Sequence, residues 1–274
     1  MATLPPEPQQ VPPNDSHRER QTAESFGANA ELYDRTRPRY PTALIDAILA
    51  ATPGRDVLDV GVGTGVAARA FKEAGCRVLG VDPDMRMAEF ARRSGIDVEI
   101  STFEEWDAAE RTFDLVTAGQ TWHWVDPVAG AHKAGAVLRP GGRIALFWNV
   151  MQFPPDLVGA FSDAYDRVMP GSIFARAFTN SMATYSAGFT RAASGITEAG
   201  GFGETEQWRF DWSKSYSTAE WLEQVPTFGG HNLTPPDKLQ ELLDGIGAAI
   251  DTVGGSFTMD YAAVVVTAAR TGKT

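Results

Sequence analysis

The chain is expected to fold as an α/β protein on a mostly parallel sheet, and three features predict it. Residues 57–65 read VLDVGVGTG, an apolar strand that breaks into three alternating glycines. Residues 78–82 read VLGVD, a second short strand closed by Asp82, so that the two strands and the helix between them make one βαβ unit. Elsewhere the apolar periodicity switches repeatedly between the helical and the extended pattern.

The elements follow in order. Residues 1–24 are rich in Pro, Gln and charge, bury little, and are expected to form a flexible tail. The folded part is expected to begin at 26–33. A helix over 41–51 precedes the first strand at 56–60, and a helix from Val66 follows the glycines. The second strand at 77–81, a helix at 85–94, the third strand at 98–101, the fourth at 115–118, a helix at 129–137 and the fifth strand at 143–149 continue the alternation. After Asn149 the pattern becomes aromatic and methionine-rich, with helices expected over 156–168 and 176–187. A helix at 191–199, a strand at 205–211, helices at 218–224 and 236–252, and a last apolar strand at 261–267 complete the chain.

The glycines carry the first functional signal. Gly61, Gly63 and Gly65 lack side chains, so the turn can bend sharply and its backbone can lie against a ligand at the start of a helix. Asp82, at the end of the next strand, is placed to accept hydrogen bonds from both hydroxyls of a ribose. The dinucleotide fingerprint is G-x-G-x-x-G, whereas here the third glycine comes one residue early. Asp59 is a second departure. A carboxylate just before the loop suits a ligand with an ammonium group and repels a pyrophosphate.

With these residues the chain resembles the class I S-adenosylmethionine-dependent methyltransferases, whose first motif is close to VLDVGVGTG. Further segments match in order: FGANAELYDRTRPRYP at 26–41, VEISTFEEW at 98–106, FDLVTAGQTWHWVDP at 113–127 and LRPGGRIALFWN at 138–149. The first of these is similar to the N-terminal segment of the subgroup that includes trans-aconitate methyltransferase-like enzymes. The resemblance spans 26–150 and fades beyond, so it carries no substrate. It implies a Rossmann-like seven-stranded sheet, six strands parallel and the last inserted antiparallel between the fifth and sixth, flanked by helices and roofed by a helical substrate cap. The domain expectation is a core over 25–150, a cap insertion at 151–190, and the rest of the sheet at 191–274 with a further cap segment near 217–255.

The same resemblance implies S-adenosyl-L-methionine as cofactor and assigns its contacts. Gly61, Gly63 and Gly65 pass under the methionine part, Asp82 grips the ribose with Pro83 and Met87 nearby, and Phe103 and Glu104 flank adenine. Asp59 and Gln120 face the cofactor from the strand ends. Tyr33 and Arg37 are candidates to close over the methionine carboxylate, a chance that Arg35 and Arg39 share. His123, in the run Gln120-Thr121-Trp122-His123-Trp124, is the candidate general base, against a scaffold role. Trp122, Trp124, Trp148, Asn149 and His231 are the candidate substrate contacts. Met151, Phe153, Phe174, Phe178, Met182, Tyr185, Trp221 and Phe228 belong to the stock from which a pocket could be lined.

Composition narrows the partners. A net charge of −11 over 274 residues argues against nucleic acid, which proteins meet with a basic face. There is no apolar run of the ~18 residues a membrane helix needs and no charged-then-apolar leader, so a cytoplasmic location is expected. The single cysteine, Cys76, excludes an internal disulfide and reads as a small buried residue; no metal site is expected. The expected activity is methyl transfer to a small molecule, most favourably at oxygen, by a monomer or homodimer. The alternatives are a fold relative that uses the same cofactor for non-methyl chemistry and a catalytically silent cofactor-binding protein.

Overall fold

The structure is a computed structural model that describes residues 26–170 and 181–272. The 1–24 tail, the start of the 176–187 segment, and Phe174 and Phe178 lie outside the described residues. Seven strands form one sheet: β1 (Asp56–Val60), β2 (Arg77–Asp82), β3 (Asp97–Ile100), β4 (Phe113–Gly119), β5 (Leu138–Gln152), β6 (Glu206–Ser217) and β7 (Ser256–Ala269). Their order is β3-β2-β1-β4-β5-β7-β6. Neighbours from β3 to β5 pair parallel, and β7 runs antiparallel to both β5 and β6. This is the seven-stranded, Rossmann-like arrangement expected. Strand succession reverses between β1 and β4, which opens a crevice at the carboxyl ends of those strands.

Nine described helices flank the sheet: α1 (Ala30–Thr36), α2 (Thr42–Ala50), α3 (Val66–Glu73), α4 (Met85–Arg93), α5 (Pro127–Val137), α6 (Pro155–Val168), α7 (Ser181–Ala199), α8 (Thr218–Gln224) and α9 (Pro236–Thr252). Local chemistry starts several of them. Asp84 caps α4 by accepting from the Arg86 amide, and Asp126 caps α5 by accepting from Val128 and Ala129, with Pro127 at the first helical position. Ser217 and Glu220 close a reciprocal capping box on α8.

Alternate residues of each strand point to opposite faces, and the core divides accordingly. Leu58, Val116, Leu146 and Val264 join one cluster beneath α5 and α7, while Val57, Leu115, Phe147 and Val265 join a second beneath α2 and α3. A separate apolar cluster lies at the far ends of β6 and β7. There Leu157, Phe161 and Tyr165 of α6, Trp221 of α8, and Leu242, Ile246 and Ile250 of α9 pack around Tyr216, Phe257, Met259 and Tyr261.

Two expectations change in detail. The separate helices read at 176–187 and 191–199 are one helix over the described part, α7, because no proline or capping residue breaks the pattern and Phe189, Ala192 and Ile196 form one buried stripe. The sixth and seventh strands are also longer than 205–211 and 261–267. They pair continuously from Glu206↔Thr267 to Ser217↔Ser256, since their far ends gain a second hydrophobic cluster to pack into. Among the described residues no helix is long and apolar enough to cross a membrane, and no group of His, Cys, Asp and Glu could hold a metal ion. Cys76 is free and buried.

Candidate active site

The carboxyl ends of β1, β2 and β4 bring together the glycine loop, Asp82 and the Gln120–Thr121 pair. Gly61, Gly63 and Gly65 all have positive φ, at 62°, 56° and 89°. A Cβ at Gly61 would run into the side chain of Thr121, whereas one at Gly63 would meet open space. The loop is therefore pressed against the β4 end on one side and open on the other. Its amides are already engaged: Gly61 and Val62 donate to the Val81 carbonyl, Gly65 to the Val62 carbonyl, and Gly63 to Asp82 Oδ2 at 2.8 Å.

Two buried carboxyls flank this loop. Asp82 also accepts from the Asp84 amide at 2.8 Å. Burial raises its pKa to about 6 against the two amide bonds that lower it. Asp59 is 1% exposed and accepts from Thr117 Oγ1 at 2.9 Å. Burial lifts it further, to about 7, with Asp82 adding to the rise. Asp59 thus lies under the loop as a buried charge site, covered from direct contact with a ligand in the crevice. Pro83 is exposed beside Asp82, and Met87 is buried in α4.

The β4 end brings in Gln120 and Thr121. Gln120 holds φ at 57°, a left-handed conformation that costs a non-glycine residue energy and is kept where the surroundings demand it. Its amide donates to Phe147 O, and Nε2 donates to Asn149 O at 3.1 Å. Thr121 Oγ1 donates to Gly61 O at 3.1 Å, tying the two loops together. Sequence reasoning passed over Thr121; its signal was its place directly after a strand-end residue facing a glycine loop.

His123 is exposed on a short helical turn, its ring centroid 4.7 Å from that of the half-buried Trp124. Desolvation by the surrounding protein lowers its pKa to about 4. Water reaches the ring, yet with a usual pKa near 6.5 or the lowered one the imidazole is neutral above pH 7. Such a group accepts a hydrogen bond, and the lowered pKa makes it a weaker base than an ordinary imidazole.

Other candidates serve the scaffold. Phe103, Trp122 and Trp148 are each 3% exposed and belong to the main core cluster, with Phe103 near Trp106 and Trp122, and Trp148 near Phe189 of α7. Glu104 accepts from the Asp126 amide at 2.9 Å and so positions the start of α5. Asn149, read as a substrate contact, is 2% exposed with its carboxamide in use: Nδ2 donates to Arg39 O and Oδ1 accepts from Trp212 Nε1. It latches the N-terminal segment, β5 and β6 together. His231, read as a loop residue and second possible base, is 0% exposed and shares a 2.8 Å hydrogen bond with the Tyr165 hydroxyl. Burial lowers its pKa to about 4.

The N-terminal segment sorts its own arginines. Arg35 pairs with Glu223 and Arg39 with Asp34, both at the surface. Arg37 points inward, its guanidinium 4.4 Å from the Tyr33 ring centroid and 5.3 Å from that of Phe228. Its Nη2 donates to the Thr227 carbonyl. Tyr40, absent from the sequence-based candidates, reaches the same interior: its ring meets Phe147 edge-on and its hydroxyl lies against Gly119. Asp34 is held below its usual pKa by Arg69 and Arg39 despite partial burial, which anchors α1 to the helix after the glycine loop.

A family model described as a methyltransferase domain matches residues 58–146. The chain is 40% identical over 127 residues to an uncharacterized methyltransferase of Mycobacterium tuberculosis, covering 46% of this chain and 52% of that one. It thus spans about half the length of that relative. It is also 40% identical over 96 residues to a ubiquinone biosynthesis O-methyltransferase of Methylocella silvestris, 32% of this chain and 38% of the relative. Among solved structures it is similar to one titled as a type II methyltransferase, from Anaeromyxobacter dehalogenans, with a TM-score of 0.62 and 22% identity over 84% of this chain and 97% of that one. That likeness is one of fold.

Proposed function

We propose, from the membership of residues 58–146 in the methyltransferase domain family, that this protein is an S-adenosylmethionine-dependent methyltransferase acting on an oxygen of a small molecule. One observation carries the choice of cofactor. The amides of Gly61, Val62, Gly63 and Gly65 are spent inside the protein, and two carboxyls, Asp59 and Asp82, border the loop. A pyrophosphate needs free amides and would be repelled there, whereas a ligand carrying an ammonium, a sulfonium and a ribose suits it. The open space beside Gly63 leaves room for that ligand.

When bound, S-adenosylmethionine supplies a methyl group already activated on a sulfonium. The work left to the chain is to bind, orient and exclude water. Asp82 receives the ribose hydroxyls, with Pro83 and Met87 beside it. Tyr33, Gln120 and Glu104 border the remaining parts of the crevice. Trp124 frames the transfer region, where an aromatic face attracts a cation. His123 stays neutral and positions the acceptor by accepting a hydrogen bond. The O-methyltransferase relative supports oxygen as the acceptor atom. The acidic chain is read as a cytoplasmic protein with no nucleic-acid partner.

Calorimetric titration with S-adenosylmethionine, S-adenosylhomocysteine and NAD tests this reading. The first two are expected to bind at micromolar concentration and NAD not at all; binding of NAD alone would sink the proposal. The affinity for S-adenosylmethionine should also depend on pH. Asp59 and Asp82 have pKa values raised above the usual 3.8, so the folded chain holds protons that the unfolded chain releases. Their contribution to stability is full below pH 3.8 and lost as pH rises through 6 and 7. A cationic ligand favours the same deprotonated carboxyls, so affinity should climb between about pH 5.5 and 7.5 with proton release, then level off. An affinity flat over that window would remove the carboxyls from the site.

His123→Ala is expected to leave S-adenosylhomocysteine binding intact and to slow turnover by less than about tenfold, below the range of ~100-fold or more that loss of a general base produces. A larger loss of kcat, with the disappearance of an acidic limb from the pH profile, would instead make His123 the base.

A further inference from the structure

β6 is the last strand of the sheet, and no strand among the described residues pairs with its outer edge. It runs for 12 residues, Glu206–Ser217, in unbroken register with β7 and without a proline. Such a strand offers a row of backbone donors and acceptors to any chain laid beside it, and proteins either blunt an edge of this kind or use it. Its side chains alternate between two faces. Trp208, Phe210 and Trp212 are partly buried against the core cluster beneath α2 and α3. Gln207, Arg209, Asp211 and Ser213 are exposed on the other face.

Charged side chains commonly guard an edge, but here the order of the charges is its own complement. When β6 is laid antiparallel against β6 of a second copy, with Phe210 opposite Phe210, Arg209 comes opposite Asp211 and Asp211 opposite Arg209. In the same register Glu206 meets Lys214, and Trp208 meets Trp212. Arg209 is already 2.8 Å from its own Asp211, so the two-fold pairing sets four charges of alternating sign in one square. The neighbouring registers lack this fit. Moving the two-fold centre back one residue opposes two arginines at 209, and moving it forward one residue opposes two aspartates at 211. Exposed ion pairs add little affinity each, so the charges choose partner and register while backbone bonds and the aromatic ladder hold the pair.

We propose that β6 docks a second copy of this chain, pairing antiparallel with its counterpart about Phe210 and joining the two sheets into one. The pairing is independent of the methyltransferase reading, since the edge lies outside the glycine loop and both carboxyls that border it.

Sedimentation of the full chain, from low to high micromolar concentration, tests this, with two exposed charges reversed one at a time. The wild-type chain should show a monomer–dimer equilibrium. Arg209→Asp places like charges opposite one another twice in the dimer, as does Asp211→Arg, and each should weaken self-association by about tenfold or more. The side chains of Arg209 and Asp211 are 50% and 65% exposed, so both variants should keep the wild-type circular dichroism and Tm. Mixed together, the two variants complement each other at both contacts and should form a heterodimer that neither forms alone. The double variant R209D/D211R should recover the homodimer. A wild-type chain that stays monomeric throughout overturns the proposal and leaves the edge to a strand of some other protein. A dimer that survives either single reversal overturns it too, by placing the interface elsewhere. Two monomeric variants that fail to associate on mixing overturn the pairing about Phe210.

Discussion

Asp82→Ala should lose about 100-fold or more in affinity for S-adenosylhomocysteine while keeping the fold. The proposed ribose bonds are two, each to a charged acceptor and worth ~1.5–3 kcal/mol, so a loss of about 3 kcal/mol is the lower end. The native carboxylate also holds the amides of Gly63 and Asp84, so alanine slackens the glycine loop as well as deleting the contact. Stability should change little, because the same substitution removes a buried acid whose charged form burial disfavours. Asp82→Asn, which keeps one acceptor and the shape, should fall between alanine and wild type. A dissociation constant within about threefold of wild type in the alanine variant, measured by calorimetry near pH 8, would remove the ribose assignment.

Trp221→Ala should be the most destabilising single change in the helical layer. The indole is 1% exposed and lies among Phe153, Phe161, Tyr216, Phe228 and Phe257 with centroids 5.2 to 6.4 Å away. Removing a buried tryptophan from such surroundings costs ~3–5 kcal/mol, because the aromatic rings around it cannot collapse into the space. For a chain of this size that is a fall of roughly 10 °C in Tm. The glycine loop and Asp82 belong to the β1–β2 side of the sheet and this cluster to the β7–β6 side, so S-adenosylhomocysteine should still bind at temperatures where the variant is folded, while turnover falls. Denaturant unfolding of the variant, followed by tryptophan fluorescence and by far-ultraviolet circular dichroism, checks this. A loss below about 1 kcal/mol would mean that the aromatic cluster is not the keystone of its layer.

The parts legible in the chain are those whose signal is short-range. The βαβ unit was readable because three glycines and two acids stand within a span of 24 residues, and each imposes a local backbone or charge requirement. The helices at 218–224 and 236–252 were readable to the residue, and the structure shows a capping box starting the first and a proline starting the second. The division of 176–199 into two helices was not, since a helix boundary without a breaker is set by what the stripe packs against. The lengths of β6 and β7 likewise depend on pairing between segments about fifty residues apart.

Side-chain roles divide along the same line. The sequence by itself determined the α/β alternation, the glycine loop, the acid at the end of β2 and the acidic net charge, because periodicity, φ restrictions and net charge are properties of the chain. Only the tertiary structure decided which of three arginines turns inward, that Asn149 is a latch, and that Phe103, Trp122 and Trp148 lie in the core. It also decided that His231 is sealed against Tyr165. Burial and pairing are set by groups arriving from distant segments, and neither the identity of a side chain nor its spacing records which neighbour will meet it.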